Sequence, residues 1–426
     1  MIKGLLTTRI KSQLSKLNSN YCIVLPDGNR IKSQNDSHPV LHLTLKEWET
    51  LGHLAQGEIG RIASDWVEGK IHIDGCMRDL IDLAASIVPK DFHRLPDSAL
   101  AVSTSMLQTW LSRLNHTRSQ SKFDIQSHYD ITDDFYSIWL DEEKVYSCAY
   151  FECDDATLKE AQKSKLDLIC RKLDLSNGER FLDIGMGWGA LLFWAAENYG
   201  VRAHGITLSM NQYEHVQRQI AKRGLENRVT VSLMDYRDLS EKDPFDKISS
   251  VGMFEHVGRA NMNDYFDKIY RLLKPGGIMM NHGITAGHVS HRQLGLGIGE
   301  FIEKYIFPNG ELIHLSEVSN HMTHAKLELV DAECLRPHYA KTLWAWSDQL
   351  EINLTQAHGA LEKVHGSRAT NILRAYRMYL SGCALGFEQG WISIYQVLAV
   401  RSDANSSYPY RRDYMYAHRV GSVESI

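Results

Sequence analysis

The sequence predicts an α/β protein, a mostly parallel sheet with flanking helices, plus a small α/β domain at the N-terminus. From about 155 to 285, apolar runs of strand length alternate strictly with stretches of helical spacing. Strands that alternate with helices make βαβ units, and βαβ units build parallel sheets. Within that region "RFLDIG" runs into three glycines at every second position, Gly185, Gly187 and Gly189, directly before an apolar helix. Upstream, residues 20–95 carry a shorter strand and helix pattern of their own.

The elements follow in order. "MIKGLLTTRIKSQLSKLNSN" places Ile2, Leu6, Ile10 and Leu14 at helical spacing, with Lys3, Arg9, Lys11 and Lys16 unopposed by any acid. Such a basic amphipathic helix either rests on an anionic membrane surface or docks on its own domain. "YCIVLPDGNRI" reads as two strands around a Pro-Asp-Gly turn. "LTLKEWETLGHLAQGEIGRIASDWVEG" and "MRDLIDLAASIV" carry helical spacing. The expected organisation is an N-terminal accessory domain over 1–95, with lipid binding as one role for it. A linker over 96–120 and a catalytic domain over 121–426 complete it.

In the alternating region, Leu158, Ala161, Leu166, Ile169 and Leu173 mark a helix that ends near Asn177-Gly178. "RFLDIG", "RAHGITL", "RVTVSLMDY", "FDKISSVGM" and "IMMNHGI" read as strands. "ALLFWAAENYG", "MNQYEHVQRQIAKRG" and "NDYFDKIYRLLKPGG" read as helices. A ligand then belongs at the carboxyl ends of the strands.

Composition narrows the function classes. A net charge of −5 over 426 residues gives no broad attraction for nucleic acid. Seven scattered cysteines form no C-x-x-C pair, so neither a metal site nor a disulfide framework is expected, and a cytoplasmic setting fits them. No run reaches the roughly 18 apolar residues of a spanning helix, and no secretory signal pattern opens the chain.

Two loops fit the glycines. Gly185-x-Gly187-x-x-Ala190 matches a dinucleotide fingerprint, and Asp183-x-Gly185-x-Gly187-x-Gly189 matches a loop that admits S-adenosylmethionine. A dinucleotide fold needs an acid about twenty positions on to hold the ribose. The segment there, "HGITLSMNQ", has none, and offers Thr207, Ser209 and Gln212 instead. One strand later Asp235 and Tyr236 supply a carboxylate for an adenine amine and an aromatic beside the ring. "LKPGG" before the fifth strand completes the order common to sulfonium-dependent methyltransferases, so methyl transfer is the expected chemistry, on a Rossmann-like class I fold with a seven-stranded sheet.

Further segments carry a resemblance. "HYDITDDFYSIWLD", "KVYSCAYFE", "SVGMFEHVG", "EKYIFPNGEL", "HYAKTLWAW" and "LSGCALGFEQG" occur in this order between 128 and 390. Together they resemble the cyclopropane-fatty-acyl-phospholipid synthase family, and "SDWVEGKIHIDG" resembles its N-terminal domain. The resemblance implies methylene transfer from S-adenosylmethionine to a cis double bond in a phospholipid acyl chain at the membrane surface, by a homodimer. The alkene is a weak nucleophile, so the site must exclude water and align it with the sulfonium methyl. A carbocation results, and a proton must leave the added methyl for the ring to close. A protein nucleophile against that cation risks alkylation; the family is understood to use bicarbonate.

Carried over position by position, the resemblance implies bicarbonate donors at the backbone N–H groups of Cys148 and Ile284, at His282 and at the Tyr339 hydroxyl, with Glu255 as acceptor. Tyr146 and Ser147 are implied to cap the cofactor from the opposite side. Cys383 falls on a cysteine position long suspected of catalysis; the alkylation argument favours a pocket-lining thiol. Tyr305, Phe307, Pro308, Phe254, Trp344 and Trp346 either wall an acyl channel or pack the core. Met186 stands where the family commonly has cysteine, and "AGHVSHRQLGLGIG" has no clear counterpart there. A related reading keeps the cofactor and changes the acceptor: acyl-chain methylation without ring closure, or small-molecule N-methylation. A lipid-binding scaffold without activity is the rival from another class.

Overall fold

In a computed structural model of the chain, the described residues are 6–8, 10–12, 20–33, 41–87, 131, 133–289, 297–402, 408–409 and 411–417. The expected linker and most of the basic N-terminal helix lie outside them. The N-terminal elements are strands β1 (Tyr21–Val24), β2 (Arg30–Lys32), β3 (Leu41–Leu45) and β4 (Ile71–Asp74), with helices α1 (Trp48–Gln56), α2 (Ile59–Val67) and α3 (Met77–Ile87). Helices α4 (Asp133–Trp139) and α5 (Leu158–Lys172) lead into β5 (Arg180–Ile184), α6 (Ala190–Tyr199), β6 (Arg202–Thr207), α7 (Met210–Arg223), β7 (Val229–Leu233) and β8 (Phe245–Val251). Next come α8 (Met262–Leu272), β9 (Leu273–Ala286), α9 (Ile298–Tyr305), α10 (Leu315–His324) and β10 (Glu328–Cys334). Helices α11 (Arg336–Ile352), α12 (Leu354–His365) and α13 (Ala369–Glu388) precede β11 (Ile392–Val400) and the single turn α14 (Asp413–Tyr416).

The chain divides into two compact units. One takes in Met1–Leu140, Ala286–His314 and Arg336–Ser393; the other takes in Asp141–Thr285, Leu315–Leu335 and Ile394–Ile426.

The second unit holds a seven-stranded sheet in the order β10-β11-β9-β8-β5-β6-β7. β5 to β9 pair in parallel and β10 runs antiparallel to β11. From β5 the chain steps outward through β6 and β7, then returns to β8 on the other side of β5. That reversal opens a crevice at the carboxyl ends of β5 and β8, where α/β sheets bind ligands. β5 reads "RFLDI" with no polar face, as a strand covered on both sides must. Phe181, Leu182, Leu192 and Phe193 are fully enclosed, and truncating such a phenylalanine costs ~3–5 kcal/mol. Gly205 lets α6 approach β6, because a Cβ there would lie 2.4 Å from Leu192 Cδ1.

Helix α5 begins in a reciprocal cap that its sequence, "TLKE", foretells. The Glu160 N–H donates to Thr157 Oγ1 at 3.3 Å and the Thr157 N–H to Glu160 Oε2 at 2.8 Å. Its inner face carries two buried cations, Lys165 and Lys172, among the apolar residues Ala161, Leu168 and Ile169.

The first unit holds the sheet β2-β1-β3-β4. β1 and β2 are joined as expected by Pro26-Asp27-Gly28, with Gly28 at φ +84° and the Leu25 N–H donating to Asn29 O at 2.8 Å. The helical stretch after β3 is not continuous. It breaks at Gly57, which takes φ +72° and caps α1 so that α2 starts in a new direction. These N-terminal helices share their packing with later ones. Gly60 approaches Gly297 so closely that a Cβ would fall 1.8 Å from its carbonyl oxygen. Arg374 donates to Trp66 O at 3.3 Å, and Arg78 pairs with Asp348 through two hydrogen bonds. Phe135, Tyr136, Trp139, Trp346 and Tyr376 form an edge-to-face aromatic cluster among α4, α11 and α13.

Candidate functional site

The glycine loop sits at the end of β5. Gly185, Gly187 and Gly189 all have positive φ, at +80°, +55° and +88°, a region that costs any other residue. Their surroundings differ. A Cβ on Gly185 would meet Met253 Cγ at 2.9 Å, and one on Gly189 would meet Phe193 and Val216 at 3.0 Å. One on Gly187 would meet nothing within 4 Å. Gly185 and Gly189 are thus required by packing, whereas Gly187 borders open space. Asp183, just before the loop, is buried and accepts the Ser249 hydroxyl at 2.6 Å. Burial pushes its carboxyl up to about 6, against the pull of that hydrogen bond and of Lys165.

The segment 141–149 is strapped over this loop. Asp141 accepts the Val145 N–H at 2.9 Å and the Glu143 N–H at 3.1 Å. Lys144 lies 5.0 Å above the Trp188 ring. From α5, Gln162 Nε2 donates to the carbonyl of Ser147 at 2.9 Å and Lys165 Nζ donates to Ser147 Oγ at 2.9 Å. Burial pulls Lys165 down to about 8. Ser147 is therefore fixed by two α5 side chains that motif reading did not single out. A signal was present: glutamine and lysine at 162 and 165 interrupt the apolar face of an otherwise amphipathic helix.

At the ends of the next two strands the expected residues turn partly toward one another. The Thr207 hydroxyl donates to Gln212 Oε1 at 2.7 Å, and Ser209 caps α7 by accepting the Gln212 N–H at 3.4 Å. All three are buried. Asp235 forms a two-pronged pair with Arg237, at 2.8 Å and 2.5 Å. Tyr236 stands edge-on to Tyr265 at 5.2 Å. These side chains hold the shape of the cleft wall, and Arg237 already occupies part of the Asp235 carboxylate.

β8 ends before its neighbour β9, which runs on to Ala286. The last pair is Val251 with His282, after which the Gly252 N–H donates to His282 O at 2.8 Å and Gly252 turns away at φ +63°. The next donor along β9, the Ile284 N–H, instead meets Glu255 Oε1 at 2.7 Å. A side-chain carboxylate completes the ladder where the strand stops. Gly283 makes room for the turn, since a Cβ there would strike the Phe254 ring at 2.0 Å. The second oxygen, Glu255 Oε2, is buried without a hydrogen-bond partner, and burial raises the carboxyl to about 7. His282, 1% exposed, meets Gln396 Nε2 through Nδ1 at 3.1 Å, while its Nε2 is also buried and unpartnered. Burial, with Lys165 and Lys172 as nearby positive charges, holds His282 far below the usual histidine range, so the ring is neutral.

Glu255 thus meets Ile284, whose N–H is already given to it, and His282 lies two residues earlier on β9. Cys148, fully buried in the same unit, has its thiol directed to the carbonyls of Ala149 and Leu335, at 3.2 Å and 3.8 Å. A carboxylate oxygen and a ring nitrogen without partners are groups that a small polar anion carrying its own donor can satisfy, and bicarbonate fits that description.

Tyr339 and Cys383 belong to the other unit. The Tyr339 ring packs 4.7 Å from Phe387 and 6.1 Å from Trp346. Burial pushes the Cys383 thiol up to about 12, leaving it a poor nucleophile. The aromatic residues read as wall or core are engaged in packing. Trp346 lies against Trp139, Trp344 donates to Glu388 under the Arg78 guanidinium, Phe307 meets Tyr379 edge-on, and the Tyr305 hydroxyl donates to Glu68. Among the described residues no group of His, Cys, Asp and Glu is arranged to hold a metal ion, and no helix is long and apolar enough to cross a membrane.

The profile of the mycolic acid cyclopropane synthetase family matches residues 116–397. A probable fatty acid methyltransferase of Pseudomonas putida is 39% identical over 396 residues, 92% of this chain and 94% of its own. Cyclopropane mycolic acid synthase 1 of Mycobacterium tuberculosis is 38% identical over 280 residues, 64% of this chain and 94% of its own. A mycolic acid cyclopropane synthase solved with SAH and CTAB superposes with a TM-score of 0.60 at 37% identity, over 66% of this chain and 98% of its own. The glycine loop, the seven-stranded sheet and these likenesses agree: the chain belongs to the mycolic acid cyclopropane synthetase family, whose members are S-adenosylmethionine-dependent methyltransferases.

Proposed function

We propose that the protein converts cis double bonds in phospholipid acyl chains to cyclopropanes, with S-adenosylmethionine as donor and bicarbonate bound at Glu255 and His282. The observation that carries this reading is that Glu255 Oε2 and His282 Nε2 are both buried and unpartnered, on residues at the carboxyl ends of the neighbouring strands β8 and β9. Two such orphans in one region cost several kcal/mol unless a ligand satisfies them. When bound there, bicarbonate supplies a proton acceptor that is not part of the chain and so is not lost to alkylation.

The residues divide the work. Gly187 leaves room for the cofactor, and Ser147, tied to Lys165, covers it. His282 Nε2–H donates to the anion. Glu255, ionised above about pH 7, accepts the anion's own hydrogen, while the Ile284 N–H keeps the carboxylate in place. The family resemblance supports Cys148 and Tyr339 as further bicarbonate donors and Cys383 as a lining thiol. The substrate lies at the membrane surface, and we assign the protein there as a peripheral, cytoplasmic homodimer.

A second reading is favoured by the Pseudomonas putida relative, named a fatty acid methyltransferase. It keeps the cofactor and the acyl chain and leaves the product branched rather than cyclic. Expression in a host without cyclopropane lipids, followed by mass spectrometry of fatty acids from each lipid class, separates the two. A ring adds one CH2 and removes the double bond without a branch, and we expect that product in the phospholipids. Branched methyl or methylene chains, or no lipid product, overturn the proposal. Turnover restored by bicarbonate after removal of dissolved CO2 supports the pocket; turnover indifferent to it refutes that part.

A further inference from the structure

The residue whose position the motifs do not explain is Gln396. It sits in the middle of "ISIYQVLAV", a strand otherwise built of apolar and aromatic residues and one serine, and it is 1% exposed. β11 lies next to β9 in the sheet, and that adjacency sets Gln396 Nε2 3.1 Å from His282 Nδ1. We propose that Gln396 is a positioning residue that fixes the tautomer of His282, placing the ring proton on Nε2 where it faces the proposed anion site.

The argument is one of donors and acceptors. A side-chain amide nitrogen only donates, so Nδ1 must accept, and a neutral imidazole that accepts at Nδ1 carries its hydrogen on Nε2. The opposite amide orientation is the alternative to weigh. It would leave both amide N–H groups of Gln396 buried without partners, where the present orientation leaves the carbonyl oxygen Oε1 and one N–H. Buried N–H groups without partners are rarer than carbonyls left under-satisfied, so the present orientation is preferred. The ring stays neutral because its environment is dry and because the charged groups around it, Lys165 and Lys172 of α5, are positive. Glu255, from the turn after β8, spends one oxygen on the Ile284 N–H. Without Gln396 nothing in β11 would choose between the two neutral tautomers, and the Nδ1–H form would offer an anion no donor at Nε2.

The inference rests on the reading of His282 as an anion donor, but its test does not. In protein labelled with 15N-histidine, the two-bond nitrogen–proton correlations report the tautomer directly, with the His282 signals assigned by their loss in His282→Ala. The wild type is expected to show Nε2–H, neutral from pH 5.5 to 8.5. Gln396→Glu replaces the donor by an acceptor and should move the ring to Nδ1–H or to the charged form. Turnover should fall at least tenfold in that variant, with the KM for S-adenosylmethionine changed less than threefold. Gln396→Met, of similar shape with no donor, should give a mixture of tautomers and an intermediate loss. An Nδ1–H ring in the wild type, or an unaltered Nε2–H ring in Gln396→Glu, overturns the proposal. The wild-type measurement decides even if a variant fails to fold. If the tautomers behave as stated while turnover ignores bicarbonate, Gln396 keeps its role and the anion assignment falls.

Discussion

Replacing Glu255 by glutamine should make the protein more stable at alkaline pH, although it removes a residue placed at the reaction site. Glutamine keeps an oxygen for the Ile284 N–H and loses the charge. In the folded state the carboxyl is held at about 7, up from an ordinary value of 4.5, and burial is the first cause. A raised carboxyl means that the native state holds its proton longer than the unfolded state does. Stability therefore falls as pH rises from about 4.5 through about 7, and the penalty is complete above that. Each pKa unit is worth about 1.4 kcal/mol, so the shift corresponds to about 3 kcal/mol. The assay is urea unfolding of wild type and Glu255→Gln at pH 5 and at pH 8.5. The difference between the two proteins at one pH contains the pH-independent effects of the substitution, and subtracting the pH 5 value from the pH 8.5 value removes them. We expect the variant to gain between about 1 and 3 kcal/mol on the wild type across that interval. A double difference of zero, or one favouring the wild type, would refute the claim that this carboxylate is buried without compensation in the ligand-free protein.

Other outcomes follow from the same geometry. If His282 serves the proposed anion and not the cofactor, His282→Ala should cut turnover about 100-fold while S-adenosylhomocysteine affinity, read by calorimetry, stays within a factor of about three. Gly187→Ala should fold at a cost of about 1 kcal/mol for its left-handed backbone and lose at least about tenfold in cofactor affinity. Gly185→Ala should also lower the melting temperature further, since its Cβ presses on Met253. Lys165→Met should free Ser147 and weaken cofactor binding about fivefold. Because the Lys165 amine is held near 8, below its ordinary 10.5, the wild type should gain stability between pH 8 and 10 where the variant does not.

Much of this was open to view in the sequence because it is local. Strand and helix periods from 155 to 285 reflect burial within one element at a time, and "DIGMGWG" states its own backbone needs. The spacing of Glu255, His282 and Ile284 was legible only through the family resemblance. The rest depends on pairings between distant segments. Nothing in "YQV" announces that residue 396 will meet residue 282, because sheet order puts β11 beside β9. The motif alone does not show that Thr207 and Gln212, five residues apart, bond to each other across the helix start that Ser209 caps. Asp235 meets Arg237 only once the chain turns sharply after β7. The helical pattern after β3 hid its break because a single glycine reverses direction without disturbing the apolar spacing on either side.

The close approach of Gly60 to Gly297 has a consequence for how this chain relates to shorter members of its family. Two backbones in contact leave no slot for solvent or for a side chain, and Trp66 adds the carbonyl that Arg374 holds. The segment around Gly60 and Trp66 is therefore part of the same folded mass as the late helices rather than an appendage to be clipped off. A version beginning at residue 121 would bare that seam and strand the arginine. A relative that aligns with 64% of this chain gives a scaffold against which the exposure of that seam can be compared.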